Sequence, residues 1–393
     1  MEDALTEEPV RIAPIEVAGN RLTLLPDGPE RLEALIGLID GARESLRILY
    51  YIWENDAVGR RVRDALIAAA RRGVEVLLLV DGFGAANAPD GFFRELTEAG
   101  ARSCRFVPRF GRRYLLRNHQ KLAVADGRRV IVGGFNIGAD YFGTVAEGAW
   151  RDLGLLVEGD SVARPVAYFD DLFKWALKPE GSMRQLRRVL QKHSKIDGRL
   201  HWLFGGPTRR LSPWAKAVRK DMRSAKRLDI IAAYFAPGPV LLRRSGNVAR
   251  RGAVRLVTAA KSDNNATIAA ARYTYWTLLK RGVRIFEYQP TKLHTKLFVI
   301  DNVVHIGSAN FDMRSLFLNL EMMLRIEDDA FAATMRLYVD GEVADSREIT
   351  REGHKAQRTF LNRLRWAIGY FLVAIADYRI TRRLNFAGEA EPT

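Results

Sequence analysis

HQKLAVADG (119–127) and LHTKLFVIDN (293–302) carry the same sparse pattern, His-x-Lys-x-x-x-x-Asp. The first copy supplies His119, Lys121 and Asp126. The second supplies His294, Lys296 and Asp301, offset by 294 − 119 = 175 positions. One such triplet arises easily by chance. Two copies at that spacing call for a search for a wider internal repeat.

The repeat is there. ARESLRILYYIWEN in the first half matches AKRLDIIAAYFAPG in the second, each a helix-like approach to an apolar strand. AAARRGVEVLLLVDG matches NVARRGAVRLVTAAKSD, and LTEAGARSCRFV matches TLLKRGVRIFEYQ. In each half the His-x-Lys strand follows, then a tight turn, another strand and Gly-x-x-Asn. Strands alternating with helices at these lengths predict a mostly parallel sheet covered by helices. The expected architecture is two duplicated α/β domains, each a mostly parallel mixed sheet flanked by helices, with one site at their interface. Residues 1–20 read as an N-terminal tail, 21–180 as the first domain and 181–200 as a basic connector. Residues 201–345 read as the second domain and 346–393 as a basic amphipathic C-terminal segment.

Within a strand, residues two apart share a face. His119 and Lys121 therefore project together, as do His294 and Lys296. Asp126 and Asp301 follow their histidines by seven positions, an odd number, and so face away. Each sits where Asp-Gly or Asp-Asn suits a hairpin turn, which predicts a structural role. Beyond the turn, Gly133, Gly134, Gly307 and Ser308 are small enough to let a ligand approach the backbone. Asn136 and Asn310 add amide donors. Two such units face to face offer two imidazoles, two ammonium groups and two amides, a fitting cradle for a phosphodiester. The lysines carry the charge, so the reading requires neither metal nor cofactor.

The hairpins differ by one residue: six positions separate Asp126 from Gly133, but five separate Asp301 from Gly307. Such a loss can turn side chains to the opposite face. Either the turn at Asn302-Val303 absorbs it or Asn310 is misplaced. His305, inside the shortened hairpin, reads as a strand residue.

The two motifs resemble the phospholipase D superfamily. YIWENDAVGRRVRDAL, LLLVDGFGA, WRDLGLLVEG, RGVRIFEYQPTKLHTK and GSANFDMRSLFLNLE are similar to its bacterial cardiolipin synthase branch. That resemblance implies transfer of a phosphatidyl group to a phospholipid headgroup hydroxyl. It implies His119 as the nucleophile, through a phosphohistidine, and His294 as the general acid. Lys121, Lys296, Asn136 and Asn310 would hold the phosphate. Downstream carboxylates would orient the histidines, Asp152 lying 33 positions after His119 and Glu321 lying 27 after His294. Phospholipid hydrolysis with water as acceptor, and nuclease activity, are the competing readings.

The net charge of +16 points to a polyanionic partner or to a merely soluble surface. RFVPRFGRRYLLR (105–117) and RRLSPWAKAVRKDMRSAKR (209–227) would serve anionic lipid and nucleic acid equally. The duplicated single-chain form, the segments similar to cardiolipin synthases and the basic-apolar C-terminal stretch favour an anionic phospholipid surface as partner, and no aromatic spacing for base stacking is evident, so nucleic acid is not the expected partner. Near the C-terminus an apolar run of eleven residues, Trp366 to Ala376, is too short to span a bilayer. Arg363 and Arg365 precede it; Arg379, Arg382 and Arg383 follow. It reads either as a core helix or as a helix lying in the membrane interface. The lone Cys104 fits a reducing compartment. MEDALTEEPVRIAP has no apolar run, so no N-terminal anchor is expected. The expected location is the cytoplasmic side of the inner membrane, peripherally attached.

Overall fold

The computed structural model describes residues 12–106, 115–178, 182–208, 211–376 and 380. Residues 1–11 of the expected tail lie outside it. So do 107–114 and 209–210 of the basic stretches, and Arg379, Arg382 and Arg383.

Among the described residues two eight-stranded sheets dominate, with a two-stranded ribbon of Phe235–Ala236 and Phe311–Asp312 beside them. The first contains β1 (Ile15–Val17), β2 (Asn20–Leu25), β3 (Ser45–Tyr50), β4 (Glu75–Asp81), β5 (Arg102–Phe106), β6 (Leu122–Ala125), β7 (Arg129–Gly133) and β8 (Gly154–Glu158). Their order is β1-β2-β8-β7-β6-β3-β4-β5. The second contains β9 (Leu200–Gly205), β10 (Arg227–Ala232), β11 (Ala253–Ala259), β12 (Arg284–Tyr288), β13 (Lys296–Ile300), β14 (Val303–Gly307), β15 (Glu321–Glu327) and β16 (Ser346–Ile349). Its order, read from the β9 edge, is β9-β15-β14-β13-β10-β11-β12-β16. Seven strands therefore correspond one to one, from β2 with β9 through to β5 with β12. The duplication extends to topology.

The sheets are mixed, as expected, with parallel pairing confined to three strands in each. Only β3, β4 and β5 run parallel to one another in the first, and only β10, β11 and β12 in the second. A helix joins each of those strands to the next, and the remaining neighbours pair antiparallel. The edges also depart from the expected boundaries. Ile15–Val17 is a strand of the first sheet, and Ser346–Ile349 pairs with β12 in the second. The expected connector contains a helix, Met183–His193, that buries Leu186 and Leu190.

Strand faces divide the core. Leu122, Val124, Val130 and Val132 share one apolar cluster with Leu297, Val299, Val304 and Ile306, so the two sheets meet through a common interior. The alternate residues, such as Ala123 and Ile131, pack under the outer helices of the first half. Phe298 and Ile300 do the same in the second. Both faces of the central strands are buried, which explains their unbroken apolar runs.

The one-residue difference between the hairpins is taken up in the turns. Ala125 pairs with Arg129 around a three-residue turn, whereas Ile300 pairs with Val303 around two. Leu122 opposite Val132 and Leu297 opposite Ile306 are equivalent pairs. The strand face is preserved, and Asn310 stays in the register of Asn136.

Candidate active site

The site begins with two backbone bridges between the halves. His119 N donates to Leu320 O at 2.9 Å, and Leu320 N donates to Arg117 O at 2.9 Å. Symmetrically, His294 N donates to Arg151 O at 2.7 Å, and Arg151 N donates to Lys292 O at 2.9 Å. Each bridge lays the histidine of one half beside the residue preceding the carboxylate of the other.

The carboxylates are therefore exchanged. His119 Nδ1 lies 3.1 Å from Glu321 Oε2, and His294 Nδ1 lies 2.6 Å from Asp152 Oδ2. This corrects the pairing suggested by sequence order, in which each histidine would use its own downstream acid. With Nδ1 engaged, Nε2 is the nitrogen left for chemistry on both rings. Both histidines line one cleft of about 440 Å³.

Both lysines are buried, and each ammonium reaches back to its own motif. Lys121 Nζ donates to His119 O at 2.6 Å, and Lys296 Nζ donates to His294 O. Burial drives both lysine pKa values down, that of Lys296 to about 8. Burial and Lys121 lower His119; burial and Lys296 push His294 down to about 3. Burial opposes ionisation of Asp152, but Lys296 and His294 outweigh it and the pKa falls. Glu321 follows the same rule through His119 and Lys121. The site thus sets two ionised carboxylates against two neutral imidazoles and two buried lysines, and an anion bound among them would favour the protonated forms of those nitrogens.

Asn136 and Asn310 both line the cleft. Asn136 Oδ1 accepts from Ile52 N at 3.1 Å and Nδ2 donates to the Tyr141 hydroxyl at 2.9 Å. Asn310 Oδ1 is buried without a hydrogen-bond partner among the described residues. The small residues serve a different end from the one expected. A Cβ on Gly134 would meet the Asp152 carboxylate at 2.6 Å, and one on Gly133 would meet Leu153 O at 2.6 Å. On Gly307, at φ 156°, it would meet Met322 O at 2.1 Å. They give passage to the chain bearing the carboxylate, not to a ligand. Ser308 instead donates to Glu321 Oε2 at 2.6 Å.

Asp126 and Asp301 lie outside the cleft. Each occupies a left-handed turn, φ 52° and φ 49°. The Asp126 carboxylate accepts from the amides of Arg43, Glu44 and Ser45, and that of Asp301 from Lys226 and Arg227. They fasten the turn to the start of β3 and of β10. At about 3.3 Å per strand residue, Asp126 ends roughly 16 Å along the chain from Lys121. Distance, beyond parity, separates it from the site.

His305 is a buried strand residue bonded to Asp221 at 2.8 Å. Sequence reading overlooked several cleft residues. Tyr51 packs on His119 at 5.0 Å, and Tyr141 and Trp150 pack on His294 at 5.3 and 5.4 Å. Ser315 Oγ donates to Glu321 Oε1 at 2.8 Å. Asp81, at the end of β4, accepts from Asn118 N at 2.7 Å and so anchors the residue before His119. Burial, with Glu321 close by, pushes Asp312 up to about 6. Repetition marked none of these, because they lack a copy in the other half or sit in loops.

A family profile described as "Cardiolipin synthase, PLD-like domain" matches residues 35–168 and 218–341. The chain belongs to that family. It is 32% identical over 362 residues to cardiolipin synthase B of Escherichia coli K12, covering 88% of this chain and 85% of that protein. Cardiolipin synthase A of Pseudomonas fluorescens is 33% identical over 347 residues, covering 86% of this chain and 71% of its own. The fold resembles the crystal structure of phosphatidylserine synthase from Haemophilus influenzae, with a TM-score of 0.70 at 16% identity, over 92% of this chain and 95% of that one. Like other cardiolipin synthases of the phospholipase D type, the chain is a phosphatidyltransferase.

Proposed function

We propose that the protein makes cardiolipin by moving a phosphatidyl group from one phosphatidylglycerol-type lipid to the headgroup hydroxyl of another. Binding of the lipid phosphate beside His294 favours its protonated form, and the ring takes up a proton at Nε2. His119 Nε2 then attacks phosphorus while the leaving glycerol takes that proton from His294 Nε2. The resulting phosphatidyl-His119 is then attacked by the second headgroup hydroxyl, whose proton passes to His294. The P–N bond breaks and both histidines return to their starting states. Lys121 and Lys296, with Asn136 and Asn310, offset the charge on the phosphoryl oxygens.

The observation that carries this reading is the exchanged pair of carboxylate–histidine contacts. It leaves two Nε2 atoms for one cleft and fixes both tautomers. The rings of Tyr51, Tyr141 and Trp150 beside the histidines favour an alcohol acceptor, because they shield the intermediate from water.

The second part of the proposal is that the protein works as a peripheral protein on the cytoplasmic side of the inner membrane. Among the described residues no helix is long and apolar enough to cross a membrane. The helix Phe360–Tyr370 buries Trp366 and Gly369 but leaves Phe360 77% and Leu361 74% exposed. It is neither wholly core nor wholly free. One face docks on the helix Asn265–Leu279 and the other offers an apolar surface. The single cysteine suits the cytoplasmic location.

Labelled phosphatidylglycerol in vesicles, separated by thin-layer chromatography after incubation, tests the reaction. Cardiolipin and glycerol are expected. Phosphatidate would make the enzyme a hydrolase, and no change in the lipid would remove phosphatidylglycerol as the donor.

A further inference from the structure

A second cleft, of about 480 Å³, lies away from the histidines, between the helices Asn265–Leu279, Arg351–Gln357 and Phe360–Tyr370. Its lining includes Tyr273, Trp276, His354, Arg358, Arg363 and Trp366. Three cations gather on the Trp276 ring: Arg358 at 4.5 Å, Lys280 at 4.8 Å and Arg351 at 5.7 Å from its centroid. Neither they nor Arg363 has a carboxylate partner among the described residues. Elsewhere in this chain arginines are routinely paired, as Arg272 is with Glu287 and Arg284 with Glu348. Cations held on an aromatic face with no carboxylate beside them are placed to receive an anion.

The wall of the cleft adds an independent sign. His354 is 2% exposed and stacks on Trp366, with ring centroids 5.0 Å apart and planes 11° from parallel. Its Nε2 is buried without a hydrogen-bond partner among the described residues. Burial, reinforced by Arg358, holds its pKa down at about 4, so the ring is neutral near pH 7. A buried polar atom left unbonded in a cationic cleft has a role once a ligand supplies the missing partner.

The cleft also has an apolar margin. Phe360 and Leu364 line it. With Leu361, Ile368, Phe371 and Leu372 they expose one continuous apolar stripe at helical spacing. Nucleic acid or a free phosphate would leave this stripe in water. An anionic phospholipid would use both features, with its phosphate among the cations and its acyl chains along the stripe.

We propose that this cleft is a non-catalytic binding site for one anionic phospholipid, which fastens the catalytic cleft to the bilayer. The connection is short. The turn Phe371–Ala376 buries Ala374 against Ala236 and Ala270, with Met313 packed on the same cluster. Met313 is followed by Arg314 and Ser315, both lining the catalytic cleft. This inference rests on the phosphatidyltransfer reading only in placing the substrate in a membrane.

The test compares the full chain with the double variant Arg358→Glu/Arg363→Glu and with the conservative Arg358→Lys. Binding is measured by sedimentation with phosphatidylglycerol–phosphatidylcholine vesicles at physiological salt, and turnover with a water-soluble aryl phosphodiester. The double variant should bind vesicles at least about tenfold more weakly, since each basic residue near an anionic surface is worth several-fold in affinity. Arg358→Lys should retain most of the binding. Turnover of the soluble phosphodiester, and the unfolding midpoint, should match the parent chain in both. Quenching of tryptophan emission by phosphatidylglycerol brominated on its acyl chains reads the site without the charge reversals, and Trp276→Phe should reduce it. Undiminished vesicle binding by the double variant would overturn the site. Protection of Trp276 emission by inorganic phosphate as effective as by dihexanoyl-phosphatidylglycerol would make it a simple anion site and overturn the lipid assignment. Failure of the parent chain to turn over any phosphodiester would count against the catalytic reading instead, and vesicle binding would still decide this one.

Discussion

His119 and Glu321 lie 202 positions apart, in different halves of the chain, and share a 3.1 Å contact between Nδ1 and Oε2. The contact joins the motif of the first half to the carboxylate of the second, and His294 with Asp152 closes the same exchange in reverse. Glu321→Gln should therefore act on His119. We expect turnover to fall by about 100-fold or more with little change in unfolding midpoint, because the tautomer is no longer held. A double-mutant cycle should show strong coupling of Glu321 to His119 and weak coupling to His294. Coupling to His294 instead would contradict the exchanged pairing.

The two histidines should fail differently. His119→Ala should abolish both turnover and any acid-labile, base-stable label transferred from substrate, because the nucleophile is gone. His294→Ala should still be labelled by substrates with good leaving groups, because only the proton donor is lost. Label retained on the His119 variant would move the nucleophile elsewhere.

Binding of a phosphate analogue should take up protons. Burial and Lys296 hold His294 at about 3, and burial with Lys121 lowers His119. A bound anion favours the protonated imidazole, so the pKa rises on binding. Near neutrality the free site is unprotonated and the complex gains a proton. Tungstate or vanadate should then bind more tightly as pH falls and more weakly as it rises. Calorimetry in buffers of different ionisation enthalpy would measure the uptake; zero uptake would place the histidines away from the anion.

Asp126→Asn should cost about 1–3 kcal/mol of stability while leaving turnover per folded molecule nearly intact. Burial works against this carboxylate, but the amides of Ser45, Glu44 and Arg43 outweigh it and lower its pKa. A lowered carboxylate pKa stabilises the fold above the unfolded value of about 3.9, and that contribution fades as pH falls through the folded value. The Asn variant should thus lose most at neutral pH and least in acid. A fully stable variant without turnover would place Asp126 in the chemistry.

Leu361→Gln should weaken vesicle binding several-fold without shifting the unfolding midpoint, because Leu361 is exposed. Trp366→Ala should lower the stability by about 3–5 kcal/mol, because that ring is buried between the helix and its neighbours. Loss of stability in the Leu361 variant would make the stripe part of the core.

Much of this was readable in the sequence because it was written twice. His119 with Lys121 and His294 with Lys296 were identifiable from spacing alone, and the matched segments implied the duplicated domains. The exchange of carboxylates was not readable. Both halves carry one histidine and one acid, and chain order cannot say which pairs cross an interface. The sheets were overestimated as parallel because apolar runs in β6, β7, β13 and β14 reflect burial on both faces, whatever the strand direction. Gly134 resembled room for a ligand, but the space belongs to Asp152, a neighbour distant in the chain. The gathering of Lys280, Arg351 and Arg358 on Trp276 depends on helix packing and has no periodic trace.

The crossed contacts make each half the keeper of the other's histidine. Expressed alone, residues 1–180 would carry His119 without Glu321, and residues 181–393 would carry His294 without Asp152. Neither fragment would contain a complete catalytic unit, but a mixture of the two could rebuild both at once. Covalent linkage also frees the halves from having to remain identical, as they must in a symmetric dimer of one chain. Gly134 against Ser308, and Asp152 against Glu321, mark that divergence: one histidine rests on a short acid packed against glycine, the other on a longer acid held by two serine hydroxyls. Two imidazoles of common origin can thus take up opposite halves of an acid–nucleophile partnership.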